Sequence, residues 1–113
     1  MRLSACVAFT GVEVICSPNP SAEIKAGYTS DLLSDVIGHC PDDSVLITVQ
    51  NHKNTVAVCT LVGAAAILVT HNREIPSDML AAATAEQVAI LRTPLDQFHA
   101  TCLIANVLNS STE

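Results

Sequence analysis

The sequence predicts an α/β fold: three layers, α/β/α, around a central and largely parallel sheet. Three observations point there. Short aliphatic runs alternate with segments of helical periodicity from residue 45 to residue 108. The runs at 44–49, 65–69 and 88–91 are nearly continuous in apolar residues, as in strands buried on both faces. Half of the 113 residues are hydrophobic, enough to build one compact core. Only Phe9, Tyr28 and Phe98 are aromatic, so that core must be aliphatic.

The elements follow in order. Residues 2–10 read as a short helix closed by Gly11, in preference to a signal peptide: the apolar run is short and Glu13 follows soon. Residues 12–16 alternate as a strand does. "SPNPS", 17–21, is an extended loop in which neither proline can donate a hydrogen bond. Residues 23–28 suggest a second strand. In "SDLLSDVIG", Ser30 is a candidate N-cap and Leu32, Leu33, Val36 and Ile37 share one helical face, with Gly38 as the stop. "CPDDS" is a turn. Residues 44–49 form the clearest strand. Asn51 can cap the next helix, which runs to Val62 before Gly63. After the strand at 65–69, "IPSDML" starts a helix with Ser77 as cap. After the strand at 88–91, "TPLD" starts the last helix, with Thr93 as cap and Pro94 in its first position. That helix ends near Asn109, and "SSTE" reads as a frayed tail. Crossovers between parallel strands should be right-handed; the strand order and the direction of the first strand stay open.

Charge and cysteines narrow the function classes. The formal charge of −6 disfavours binding to nucleic acid or anionic lipid. No apolar run reaches the roughly 18–20 residues of a membrane helix. Five widely spaced cysteines, with no C-x-x-C, fit buried reduced thiols better than zinc or disulfides, and the expected compartment is cytoplasmic. Cys59, inside an apolar helix, reads as a buried thiol and not as a nucleophile. Asp31 and Asp35, one helical turn apart, fit a favourable helix dipole better than a metal or acid–base pair. Asp42-Asp43 reads as turn chemistry, and His39 and His99 as isolated surface residues. Phosphate loops of the Walker and dinucleotide types and the G-x-S-x-G elbow are missing, and four glycines leave little for close backbone wrapping of a triphosphate. No cofactor and no metal is implied.

In open α/β sheets, ligands bind beyond the carboxyl ends of the strands. The strands here run into Tyr28-Thr29-Ser30-Asp31, Gln50-Asn51-His52-Lys53, Thr70-His71-Asn72-Arg73 and Arg92-Thr93. If they are parallel, these groups share one rim. Three of the five basic residues, Lys53, Arg73 and Arg92, fall there, as do His52 and His71. The free amides of the helix starting near Asn51 add attraction for an anion. The candidate site is therefore Asn51, His52, Lys53, Thr70, His71, Asn72, Arg73 and Thr93, for a small anion such as a phosphate ester or carboxylate. Each of these residues also has a plain reading: strand-to-helix loops are polar because they are exposed and cap helices.

The segments "AGYTSDLLSDVIGH", "DDSVLITVQNHKNTVAVCTLVGAAAILVTHNREIPSDML" and "ILRTPLDQF" resemble the DRTGG domain in order and spacing over residues 23–108. Residues 1–22 would then be an N-terminal helix, strand and loop, and 109–113 a tail, within one domain spanning 1–113. The family takes its name from an Asp-Arg loop and a Thr-Gly-Gly loop. These correspond to "QNHKN" and "THNRE", where Thr70 survives and His71 and Asn72 replace the glycines. The resemblance implies a three-layer module similar to the amino-terminal domain of HPr kinase/phosphorylase, commonly dimeric, in regulatory positions. The preferred reading is a non-catalytic regulatory or ligand-sensing homodimer. Its partner at the rim would be a small anionic, phosphorylated or nucleotide-like ligand, or a protein of a metabolic or redox system. Helix 52–62, with little polar face, suits the subunit contact. The alternatives are a phosphoryl- or acyl-transfer enzyme using His52 or His71, and a structural accessory subunit of a redox complex.

Overall fold

The computed structural model describes residues 1–110; the last part of the expected tail, 111–113, lies outside the described residues. The elements are α1 (Leu3–Thr10), β1 (Glu13–Cys16), β2 (Ala26–Thr29), α2 (Leu33–His39), β3 (Ser44–Thr48), α3 (Lys53–Val62), β4 (Ala66–Val69), α4 (Ser77–Ala85), β5 (Ala89–Arg92) and α5 (Gln97–Ser110). The strands form one sheet in the order β1-β5-β4-β3-β2. β2, β3, β4 and β5 pair in parallel, and β1 pairs antiparallel with β5. The sheet is mixed only at that edge.

The topology follows from the order of the chain. From β2 to β5 each step moves one strand over in the same direction. Crossovers of one hand then put every connecting helix on one face. Accordingly, Val36 of α2, Val56 and Cys59 of α3, and Met79 and Ala83 of α4 pack with Leu46, Ile67, Val69 and Ile90. On the other face, Leu3 and Cys6 of α1 and Ala100 and Ile104 of α5 pack with Val45, Ile47, Ala66, Leu68, Ala89 and Leu91. The period-two alternation of side chains divides each central strand between the two cores. α5 lies close over β2, where a Cβ on Gly27 would meet Ile104 Cγ2 at 3.3 Å. The loop between β1 and β2 must cross the whole sheet, four strand spacings or about 19 Å. Its nine residues can reach about 30 Å; the stretch expected to be extended instead turns at Pro20, where the Ala22 N–H donates to Asn19 O at 3.1 Å.

Several local expectations shift by a turn. The cap of α2 is Leu32, not Ser30; the Ser30 hydroxyl accepts from the Leu32 N–H at 3.2 Å in a side-chain turn. Gly38 lies inside α2, which ends at His39. α2 buries only Val36, while Leu32 and Ile37 are 61% and 50% exposed, because a helix beside the edge strand has sheet under one side only. α3 is capped by His52 and α4 by Pro76, neither through its side chain. Thr93 does not start α5: its hydroxyl accepts from the Leu95 N–H, and Asp96 caps the helix by accepting from the His99 N–H at 2.8 Å. The cysteines are all free, but only Cys6 and Cys59 are buried, and Cys102 is exposed. Burial pushes the Cys59 thiol up to about 12, which makes it a core residue and no nucleophile.

Gly63 closes α3 in the left-handed region at φ 79°, with a Cβ position 3.1 Å from Asp42 Cβ. Gly63→Ala meets both backbone strain and that contact, whereas Gly11→Ala at φ 70° meets strain alone. Gly11→Ala is predicted to cost about 1 kcal/mol and Gly63→Ala clearly more, read as the fall in urea midpoint at unchanged slope.

Candidate functional site

At the carboxyl end of the parallel strands the ladder stops, and its last peptide groups need partners. The loops supply them across the rim. The Gln50 side chain donates to Asp31 O at 2.6 Å, joining the β3 and β2 loops. Asn51 Nδ2 donates to Glu74 O at 2.7 Å, and Arg73 Nη1 donates to Val49 O at 3.0 Å; together they join the β3 and β4 loops. The backbone N–H groups of His71 and Asn72 donate to Leu95 O and Thr93 O at 2.9 and 2.8 Å, joining the β4 and β5 loops. Gln97 of α5 accepts from the Val49 N–H at 3.0 Å. Thr101 donates to Gln97 O, so its contact with Thr29 at 2.6 Å has Thr29 as the donor. The polar insert after β3 is therefore what closes the end of the sheet.

The structure brings the predicted backbone segments together but gives their side chains different tasks. Thr70 and Thr93 are buried, and the Thr70 hydroxyl donates to Thr48 O. Asn51 and Arg73 tie loops together. His52 Nε2 donates to Gln50 Oε1 at 3.0 Å, which fixes the proton on that nitrogen. Lys53 opens α3 and lines a groove against α4 that includes Ala82 and Glu86; it pairs with none of the described residues. The His71 and Asn72 side chains are exposed and likewise make no hydrogen bond among the described residues. Arg92 is drawn away from the rim: two of its nitrogens donate to Glu13 on β1 at 2.8 and 3.1 Å, and the third to Arg73 O. The Arg92 guanidinium in turn holds the Glu13 carboxyl below its ordinary range.

His71 and Asn72 stand consecutively in the left-handed region, at φ 59° and 52°. These are the positions corresponding to the two glycines of the Thr-Gly-Gly motif. Asn and His are among the side chains that tolerate this conformation, so the loop adopts it without glycine. Both amide N–H groups face protein carbonyls, which shows why the shape is needed.

Two carboxylate clusters flank the rim. Tyr28 donates to Asp35 at 2.7 Å and His39 donates to the other oxygen at 3.1 Å. The Tyr28 bond first, then Ser30 and His39, hold Asp35 below the usual carboxylate range, and Tyr28 is pushed up in return. Asp96 is held low by the His99 backbone and ring, with a smaller contribution from His71. His39 and His99 are thus paired, not isolated.

Comparison with known proteins agrees with this architecture. The model of the DRTGG domain family matches residues 10–107, and the chain belongs to that family. No curated protein matches the chain. Among solved structures, the CBS and DRTGG domains of the regulatory region of Clostridium perfringens pyrophosphatase, in complex with the activator diadenosine tetraphosphate, superpose with a TM-score of 0.73 at 14% identity. The match covers 95% of this chain and 47% of that one, so the chain spans about half the length of its structural neighbour.

Two outcomes follow. Asn72→Gly is predicted to keep or raise the melting temperature, whereas Asn72→Val, β-branched in the left-handed region, lowers stability by about 1–2 kcal/mol. Glu13, Asp35 and Asp96 are all depressed in the folded state. Their contribution is complete above the unfolded value, near pH 4, and is lost as pH falls through the lower folded values. Melting temperature should drop below about pH 4, with a shallower drop in Glu13→Gln and Asp35→Asn.

Proposed function

We propose that the chain is a non-catalytic regulatory module that binds a small anionic ligand at the strand-end rim and works as a homodimer. The observation that carries this reading is the Thr70-His71-Asn72 loop, held with two consecutive residues in the left-handed region. It presents two exposed polar side chains that make no hydrogen bond among the described residues, beside an exposed Arg73 that donates from Nη1 to Val49 O. Lys53 adds an unpaired cation where α3 begins. Because Arg92 is held by Glu13, and Asp31, Glu74 and Asp96 also lie along these loops, the site offers charge for one or two negative groups. That favours a phosphate monoester or a mononucleotide-like ligand over a triphosphate. The family supports a regulatory role, and the nucleotide activator of the structural neighbour recommends nucleotides as the first ligands to try.

The test is thermal shift against nucleotides, diadenosine tetraphosphate and phosphorylated metabolites. Saturating ligand at about 100 times its Kd stabilises the native state by about 2.7 kcal/mol, a shift of several degrees. Lys53→Ala, which removes no hydrogen bond among the described residues, should weaken the shift without lowering the starting melting temperature. A panel in which no anion moves the transition, or a shift indifferent to Lys53→Ala and His71→Ala alike, rejects the rim as the site.

A further inference from the structure

α1 and α5 cover one face of the sheet, and neither helix contains an Asp, Glu, Lys or Arg. The whole chain carries eleven acidic and five basic residues. Both phenylalanines sit on this layer, Phe9 at 71% and Phe98 at 70% exposure. Phe98, Cys102 and Ala105 form an exposed stripe along α5 at helical spacing. Between the helices runs a groove of about 500 Å³, lined by Met1, Phe9, Leu103, Asn106, Val107 and Ser110.

We infer that this α1–α5 face is the surface through which two copies of the chain associate. The inference rests on the homodimer reading above and moves the contact from α3 to the opposite face. The charge distribution selects the occupant. Two copies of a chain with net charge −6 repel, and here they can meet without bringing carboxylates together. A different protein would gain specificity and encounter rate from charges opposite to its own, and the two helices offer none; charge nearby is confined to their starts, in Arg2, Asp96 and the Met1 ammonium paired with Glu23. Homodimer interfaces are more apolar than transient ones, depleted in charge and enriched in aromatic residues. In a two-fold contact each groove and each exposed phenylalanine meets the same elements of the second copy, so one uncharged patch serves both sides. α3 is the poorer candidate, since the groove between it and α4 is lined by two charged residues, Lys53 and Glu86.

Sedimentation velocity of the full chain over a concentration series tests this. The wild type is expected to approach twice the monomer mass. Phe9→Glu combined with Phe98→Glu should sediment as a monomer with an unchanged circular dichroism spectrum. Leu61→Glu, on the exposed side of α3, should remain dimeric. If the double variant does not fold, Ala105→Arg and Phe98→Ser read the same face separately, and each should weaken association. A wild type that stays monomeric at its highest soluble concentration overturns both the surface and the homodimer reading. A dimer that survives these substitutions but is lost in Leu61→Glu overturns the surface and leaves the dimer standing. A complex with a different protein, formed by a chain that never self-associates, overturns the choice of a second copy. Ligand shifts at the rim are measured separately, so neither result decides the other.

Discussion

The end of a fully buried parallel sheet leaves peptide groups that no further strand satisfies, and much of this molecule is arranged around that demand. β3, β4 and most of β5 are buried on both faces. At their carboxyl ends the chain must turn into helices while finding partners for the last carbonyls and amides. Gln50, Asn51, Arg73 and Gln97 provide those partners from neighbouring loops, and the two left-handed residues His71 and Asn72 turn their amides onto the β5 loop. A buried polar group without a partner costs about 1–3 kcal/mol. The polar residues between the apolar runs thus serve the fold before they serve any ligand.

That priority shapes the candidate site. Side chains that close the sheet are fixed in place and cannot also reorganise around a ligand. Those left over, His71 and Asn72, are exposed on loops whose geometry the other residues hold, while Lys53 lines the groove between α3 and α4. Rigid closure below and unengaged groups above is a reasonable construction for a sensor, because binding then reads a preformed surface. In this loop the requirement is a pair of positive φ angles with inward amides, and His71 and Asn72 meet it at modest cost without glycine.

The two faces of the sheet differ in chemistry as well as in connectivity. The α2–α4 face follows from the repeated strand–helix–strand step, and its helices carry Asp35, Lys53 and Asp78. The α1–α5 face is made from the two ends of the chain and is uncharged, with both phenylalanines outward. An aliphatic core of Val, Leu, Ile and Ala has little room for a phenyl ring, so aromatic residues on the outside mark contact chemistry more than failed burial.

The sequence by itself determined the three-layer class and the number and approximate limits of the elements. It could do so because periodicity and alternation report which residues face a core, and those patterns are local. Where a residue's partner lies across the sheet, local pattern was silent. Arg92 looked like a rim cation until β1 was seen to run antiparallel beside β5 and place Glu13 against it. Leu32 and Ile37 looked like core positions until α2 was seen to sit at an edge. Thr93 looked like a cap until Asp96 took that role three residues later. Only the tertiary structure decided these, because an ion pair, an edge position or a cap depends on which distant segment the fold brings alongside.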